Sequence, residues 1–350
     1  MTYSVERLTQ SSEAEFSDFV AAMPSALIYL TLRYRDLLRD FLKAEDHYFV
    51  ARDSARTIVG VFPAFIKHVP GNGSVANSLP FYGSNGGPLM HVQHERAGQL
   101  MLQHFEAYAA DLGCLSSTVV FSPLSDAEGI SQMLGAGATD SRIGQITYLP
   151  SADHAAAIAV MNFLDSKTRN MVRKAEKLGI AIDRDESVIA LQFLSNTHAE
   201  NMAEIGGQAK PLIFFELLQK NFRSGLDYRI YNASLDGVRI ASLLLLYCNN
   251  TVEYFTPVIV KEYRSTQAMS LLIFKAMTDA VHNGLKVWNW GGTWHSQTGV
   301  HKFKKSWGAT DMLYYYSTRL RDPSLLLKTK EELTRAYPYF YVMPFEWLRS

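Results

Sequence analysis

One pattern written twice constrains this 350-residue chain more than any single motif. HYFVARDSARTIVGVFPAFIKH (47–68) places two β-branched and aromatic runs around a polar turn, the signature of a hairpin. DYRIYNASLDGVRIASLLLLYC (227–248) repeats it with Asp236-Gly237 at the turn, a pair suited to a two-residue connection. TVEYFTPVIV follows as a third strand-like run. Downstream, RAGQLMLQHFEAYAADLG (96–113) and SLLIFKAMTDAVHNG (270–284) have apolar residues at helical spacing, and each stops at a glycine that can cap a helix. Strand-like residues follow both, STVVFSP and KVWNW. Hairpin, long helix and buried strand thus recur about 170–180 residues apart, too far for a solenoid repeat. The pattern predicts a duplicated α/β domain with mixed α+β sheets. The expected division is 1–150 and 151–350, the second part holding a central basic helix and the C-terminal tail.

Between the copies, 155–180 reads as helical, with Asp165 or Ser166 as an N-cap in its middle and Gly179 as its stop. A further helical stretch, 191–223, precedes the second hairpin. The tail from Pro323 holds a helix and then AYPYFYVMPFEW. Packing onto the body is its expected role, since no basic residue interleaves with the rings; peripheral membrane contact is the alternative.

Composition narrows the class. A 47% hydrophobic content with 19% charged residues describes a chain with a sizeable core. Thirty-four basic and 34 acidic residues balance, which argues against duplex DNA as a partner and leaves room for a local basic patch. Cys114 and Cys248 are the only cysteines; both lie at apolar runs, as reduced core thiols of a cytoplasmic protein do. The charged N-terminus MTYSVERLTQSSEAEF is no secretory signal, and ASLLLLYC falls far short of the roughly 20 residues that cross a bilayer. No transmembrane segment is expected.

Three stretches carry candidate chemistry. The first is NWGGTWHSQTGVHKFKKSWGA (289–309), read as strand, glycine-containing loop and short helix from about Gly299 to Gly308. On a helical wheel Val300, Phe303 and Trp307 form an apolar face, Lys305 points nearly opposite and Lys302 lies to the side. Lys304 falls at the margin of that face, where a buried stem would direct its ammonium into a cleft. The competing reading is a lysine snorkelling on a solvated helix. Asn289, Gly291, Gly292 and Thr293 would line the strand end beside it.

The second stretch, DSKTRNMVRKAEKLG (165–179), carries Arg169 and Arg173 four apart on one helix face, a spacing suited to bidentate phosphate binding. A charged outer face is the alternative. The third, SLPFYGSNGGPLM (78–90), is a loop whose amides at Gly83, Gly86 and Gly87 could cradle an anion or sugar hydroxyl, with Tyr82 and Asn85 beside them. An ordinary turn competes equally. It has neither the Gly-Lys-Ser/Thr of a phosphate loop nor dinucleotide spacing. His295 and His301 lack partners at metal-ligand spacing, so no metal is expected. No GxSxG elbow occurs. Asp165, Glu253 or another carboxylate could serve as general base.

Taken in order, the GGPL loop, Thr168 to Ala175 (TRNMVRKA), EYRSTQAMSLLIFKAM and NWGGT…GVHKFKKSWGA resemble the Fem-type (FemAB-like) transferases, over about residues 45–320. That resemblance implies two GNAT-like domains in tandem. It also implies an enzyme that moves an acyl or aminoacyl group to an amine of a cell-envelope precursor, peptidoglycan or surface polysaccharide. It implies Lys304 as the catalytic cation and Arg169 and Arg173 as acceptor-phosphate ligands. The implied donor is aminoacyl-tRNA or acyl-CoA. Two departures stand out. Gly86-Gly87-Pro88 replaces the Arg-Gly-Pro of peptidoglycan-type members. Arg264-Ser265-Thr266-Gln267-Ala268, where Arg264, Ser265 and Gln267 would meet the donor, has no glycine for a coenzyme A pyrophosphate. The other functions to weigh are an acyl-CoA or acyl-carrier-protein dependent N-acyltransferase, and a catalytically silent GNAT-like binding module.

Overall fold

The computed structural model describes residues 2–81, 85–124, 138–151 and 155–348, apart from the side chains of 138 and 139. The chain forms two compact units, Met1–Ile143 with Leu313–Ser350, and Gly144–Met312.

The first unit begins with β1 (Ser4–Arg7), α1 (Glu13–Ala22) and α2 (Leu32–Leu42). It continues through β2 (Glu45–Asp46), β3 (Phe49–Arg52), β4 (Ile58–Phe62), β5 (Phe65–Val69), β6 (Gly73–Asn77), β7 (Leu89–Met90), α3 (Glu95–Asp111) and β8 (Cys114–Val120). The expected hairpin is β3 against β4, antiparallel with Phe49 opposite Phe62. These strands form one sheet in the order β1-β3-β4-β7, while β2, β5, β6 and β8 lie side by side in another. Helix α3 buries Ala97, Met101, Leu102, Phe105 and Ala109, a 3–4 spacing that keeps one stripe against Phe49, Phe62 and Phe121.

After β9 (Ala138–Tyr148) the second unit runs α4 (Ala156–Phe163), α5 (Ser166–Lys177), β10 (Ala181–Arg184), α6 (Val188–Glu204) and α7 (Leu212–Asn221). There follow β11 (Tyr228–Leu235), β12 (Val238–Cys248), β13 (Thr251–Ile259), α8 (Ala268–His282), β14 (Val287–Thr293) and α9 (Thr298–Lys305). The predicted 155–180 helix is therefore two, split where Asp165 accepts the Thr168 amide and caps α5. In the second hairpin Asp236 and Gly237 have φ of 50° and 80°, the left-handed pair that its two-residue turn requires. The sheet runs β10-β11-β12-β13-β14, and α8 lays its long apolar stripe on it, with Trp288, Trp290 and Trp307 in the same core.

Strands β13 and β14 position the site. They pair in parallel only from Thr251–Glu253 to Val287–Asn289. β13 then continues against β12 as far as Ile259, while β14, whose other neighbour is β9, runs on to Thr293 unpaired with β13, so the two part beyond Glu253 and Asn289.

The last elements are β15 (Thr310–Leu320) and α10 (Lys330–Ala336). Residues Leu313–Ser350 group with the first unit, whereas the sequence assigns the tail to the second. The bonds responsible are long-range: Asn77 donates to the Tyr341 carbonyl and accepts its amide, both at 2.8 Å, and the Phe81 amide donates to Tyr339 at 2.6 Å. Tyr337, Phe340, Val342 and Met343 are buried there.

Candidate active site

Lys304 is 5% exposed and is the one buried residue of α9. Its ammonium donates to Thr293 Oγ1 at 2.8 Å, to the Gly292 carbonyl at 3.2 Å and to the Gly291 carbonyl at 3.4 Å. Burial pushes its pKa down to about 8, because the charged form loses water that three acceptors only partly replace. Gly291 adopts φ of 70°, a conformation that favours glycine, and its amide donates to Asn289 Oδ1 at 2.9 Å. The glycine pair thus bends the strand end so that two carbonyls face the lysine. Val300, assigned to the apolar face by the wheel, is 43% exposed, and Lys304 takes the buried position in its place. Phe303 and Trp307 pack as expected, against Trp290 with centroids 6.0 and 6.1 Å away.

Two further buried groups complete this corner of the second unit. Asn289 Nδ2 donates to both carboxylate oxygens of Glu253, at 3.1 and 2.9 Å, at the last paired position of β13 and β14. Gln145, fully buried on β9, accepts from the Thr293 hydroxyl at 2.9 Å. Asn289, Gly291, Gly292, Thr293 and Lys304 therefore come together as the sequence predicts.

The other candidates do not join them. Arg169 donates to the Leu164 carbonyl, Arg173 is exposed on α5, and among the described residues no hydrogen bond or ion pair links either to Lys304. In the glycine loop the Gly86 amide is taken by the Val120 carbonyl at 2.7 Å, and Asn85 Nδ2 donates to the Phe121 carbonyl at 3.0 Å. A Cβ on Gly86 would meet Leu79 at 2.5 Å, and one on Gly87 would meet Phe121 at 3.0 Å. Close packing, not an open cradle, explains these two glycines. Tyr82 and Gly83 lie outside the described residues. In the donor stretch Arg264 is held by Glu204, and the Ser265 carbonyl accepts from Lys174 at 2.9 Å. Gln267 caps α8 with φ of 65°. Its carbonyl accepts the Ser270 and Leu271 amides, and Thr266 Oγ1 accepts the Ala268 amide at 3.3 Å. The Ala268, Ser270 and Leu271 amides at the start of α8 are thus taken within the chain.

Sequence patterns gave no pointer to Lys210 or His198. Lys210, half-buried in the α6–α7 connection, holds its ammonium 4.9 Å from the Phe255 ring centroid, and desolvation pushes its pKa down to about 8. Phe255 lies two residues past the parting of β13 and β14. His198 on α6 is buried, and desolvation, with Lys210 nearby, pushes its pKa down to about 4. Gln145 did carry a signal, an amide inside the apolar strand IGQITYL. Among the described residues no cluster of histidine, cysteine and carboxylate has the makings of a metal site. Among the described residues no helix is long and apolar enough to cross a membrane.

Residues 165–305 match the acetyltransferase (GNAT) domain family. Solved structures share the whole fold. FemX superposes over 93% of this chain and 99% of its own, with a TM-score of 0.73 at 13% identity. The tandem GNAT protein from the clavulanic acid biosynthesis pathway, without acetyl-CoA, covers 91% of this chain and 98% of its own, with a TM-score of 0.52 at 11% identity. L-PGS from Bacillus licheniformis covers 84% and 92%, with a TM-score of 0.52 at 13% identity. Comparison with curated proteins gives no match. The fold is α/β, two GNAT-like halves in tandem of the Fem-like kind.

Proposed function

We propose that this Fem-like tandem GNAT fold transfers an acyl or aminoacyl group to an amine of a cell-envelope precursor. The observation that carries this is the buried ammonium of Lys304 at the end of β14, beyond the point where β14 leaves β13. When an amine attacks an ester or thioester carbonyl, a C–N bond forms and negative charge grows on the carbonyl oxygen before the C–O or C–S bond breaks. A fixed cation in a water-poor site lowers that barrier. The Lys304 bonds to Gly291 and Gly292 are long, so the ammonium can exchange one of them for the developing oxyanion while Thr293 keeps it in place. The exposed guanidinium of Arg173 stays available to a phosphate of either substrate.

The start of α8 favours an aminoacyl ester carried on tRNA as donor, because the Ala268, Ser270 and Leu271 amides are already taken and no glycine lets a coenzyme A pyrophosphate approach the turn closely. The match of 165–305 to the GNAT domain family favours the second reading, an acyl-CoA donor. The silent-module reading expects the C-terminal aromatics to form an exposed apolar patch, and they are largely packed.

Transfer from charged tRNA and from acyl-CoA to amine-bearing nucleotide-linked muropeptides and amino sugars, assayed for wild type and Lys304→Ala, tests the proposal. Lys304→Ala is expected to lower turnover at least about tenfold while remaining folded. Unchanged turnover would remove Lys304 from the mechanism. Transfer from acyl-CoA alone would establish the second reading, and no transfer from either donor would overturn both.

A further inference from the structure

We infer that Gln145 is a positioning residue, which fixes the direction of every hydrogen bond between itself and Lys304. Its Nε2 lies 3.2 Å from the His301 carbonyl and 3.3 Å from Asp311 Oδ1. A carbonyl and a carboxylate only accept, so the amide nitrogen must face them and Oε1 must face Thr293. The single proton of the Thr293 hydroxyl is then committed to Gln145 Oε1, 2.9 Å away. Its lone pairs are left for Lys304, 2.8 Å away, which has to donate. All three linked side chains are buried, so water does not scramble the order.

The consequence concerns the proton that Lys304 holds, and rests on Lys304 being the site's cation. A neutral amine has only two protons and a lone pair, and in this cage that lone pair would face the Gly291 or Gly292 carbonyl. Directed acceptors thus favour the ammonium and oppose the burial that disfavours it. Other charges bear on the same corner. Asp311 pairs with His301 at 3.0 Å and with Lys305 at 3.4 Å, while Glu253 lies behind Asn289, whose Oδ1 holds the Gly291 amide. None of these contacts the Lys304 ammonium directly. Gln145 and Thr293 connect it to Asp311.

The test follows the ¹³Cε resonance of Lys304 through a pH titration of lysine-labelled full-length protein, assigned by its loss in Lys304→Met. The wild-type midpoint is expected near pH 8. Gln145→Met keeps the side-chain length but frees the Thr293 hydroxyl, and should lower that midpoint by at least about half a pH unit. Thr293→Val should lower it as well, and in that background Gln145→Met should add nothing, because the link through which Gln145 acts is gone. A midpoint in Gln145→Met equal to or above wild type would overturn the inference, as would additive effects of the two substitutions. If Gln145→Met does not fold, Gln145→Leu takes its place in the same cycle. The readout needs neither donor nor acceptor. A missing shift therefore leaves the transferase proposal standing, and failure of the transfer assays leaves this test intact.

Discussion

At Lys304 the physical question is why a charge is tolerated at 5% exposure without a carboxylate beside it. Three acceptors hold it, but desolvation still lowers its pKa from 10.5 to about 8, so the folded protein releases this proton before the unfolded chain does. Between those values the unfolded state binds more protons, and stability must rise with pH. Relative to Lys304→Met, the wild type should gain roughly 3 kcal/mol between about pH 8 and pH 10.5, read from chemical denaturation of both proteins. A parallel pH dependence would show that Lys304 is not desolvated. Catalysis gives an independent sign. If the cation is what the reaction needs, turnover falls as pH rises through about 8, and Lys304→Arg, charged at all these pH values, abolishes that fall in whatever activity remains. A rise through the same range would make Lys304 a base instead. The wheel placed Lys304 at the edge of the apolar face but buried Val300, because its acceptors sit on a strand outside the helix. Helical spacing contains no information about them.

Elements were legible where local chemistry decides them. Both hairpins, the glycine stops at Gly113 and Gly284, and the start of α5 follow from residues a few positions apart. Asp165 illustrates the scale of such effects: Asp165→Ala removes the side-chain acceptor of the Thr168 amide and should cost about 1 kcal/mol in urea denaturation. The GGPL loop shows the limit. A glycine kept for a ligand and a glycine kept for packing look alike in sequence, and here the deciding neighbours, Leu79 and Phe121, include one more than thirty residues away. Gly86→Ala should destabilise the protein by about 1–3 kcal/mol through overpacking against Leu79. Wild-type stability for that variant would return the loop to the list of candidate ligand cradles.

For the whole molecule, duplication was readable because each half repeats its own local order, while the assignment of the tail was not. AYPYFYVMPFEW is aromatic enough to pack on any apolar surface, and nothing in it selects one. The selection lies in Asn77, whose side-chain amide both donates to and accepts from the Tyr341 backbone as a neighbouring strand would. It lies also in the bond from the Tyr337 hydroxyl to the Asn72 carbonyl. Burying Tyr337, Phe340, Val342 and Met343 contributes several kcal/mol at the scale of about 1.5–3 kcal/mol per large apolar side chain. A chain ending at Asp322 loses all of these together. Hydrogen exchange followed by mass spectrometry should then show protection falling at least about tenfold along β5 and β6, Phe65–Asn77, whose ends the tail holds. Undiminished protection there, with the loss falling along β11 to β13 instead, would mean that the tail stabilises the second unit, as its place in the sequence first implied.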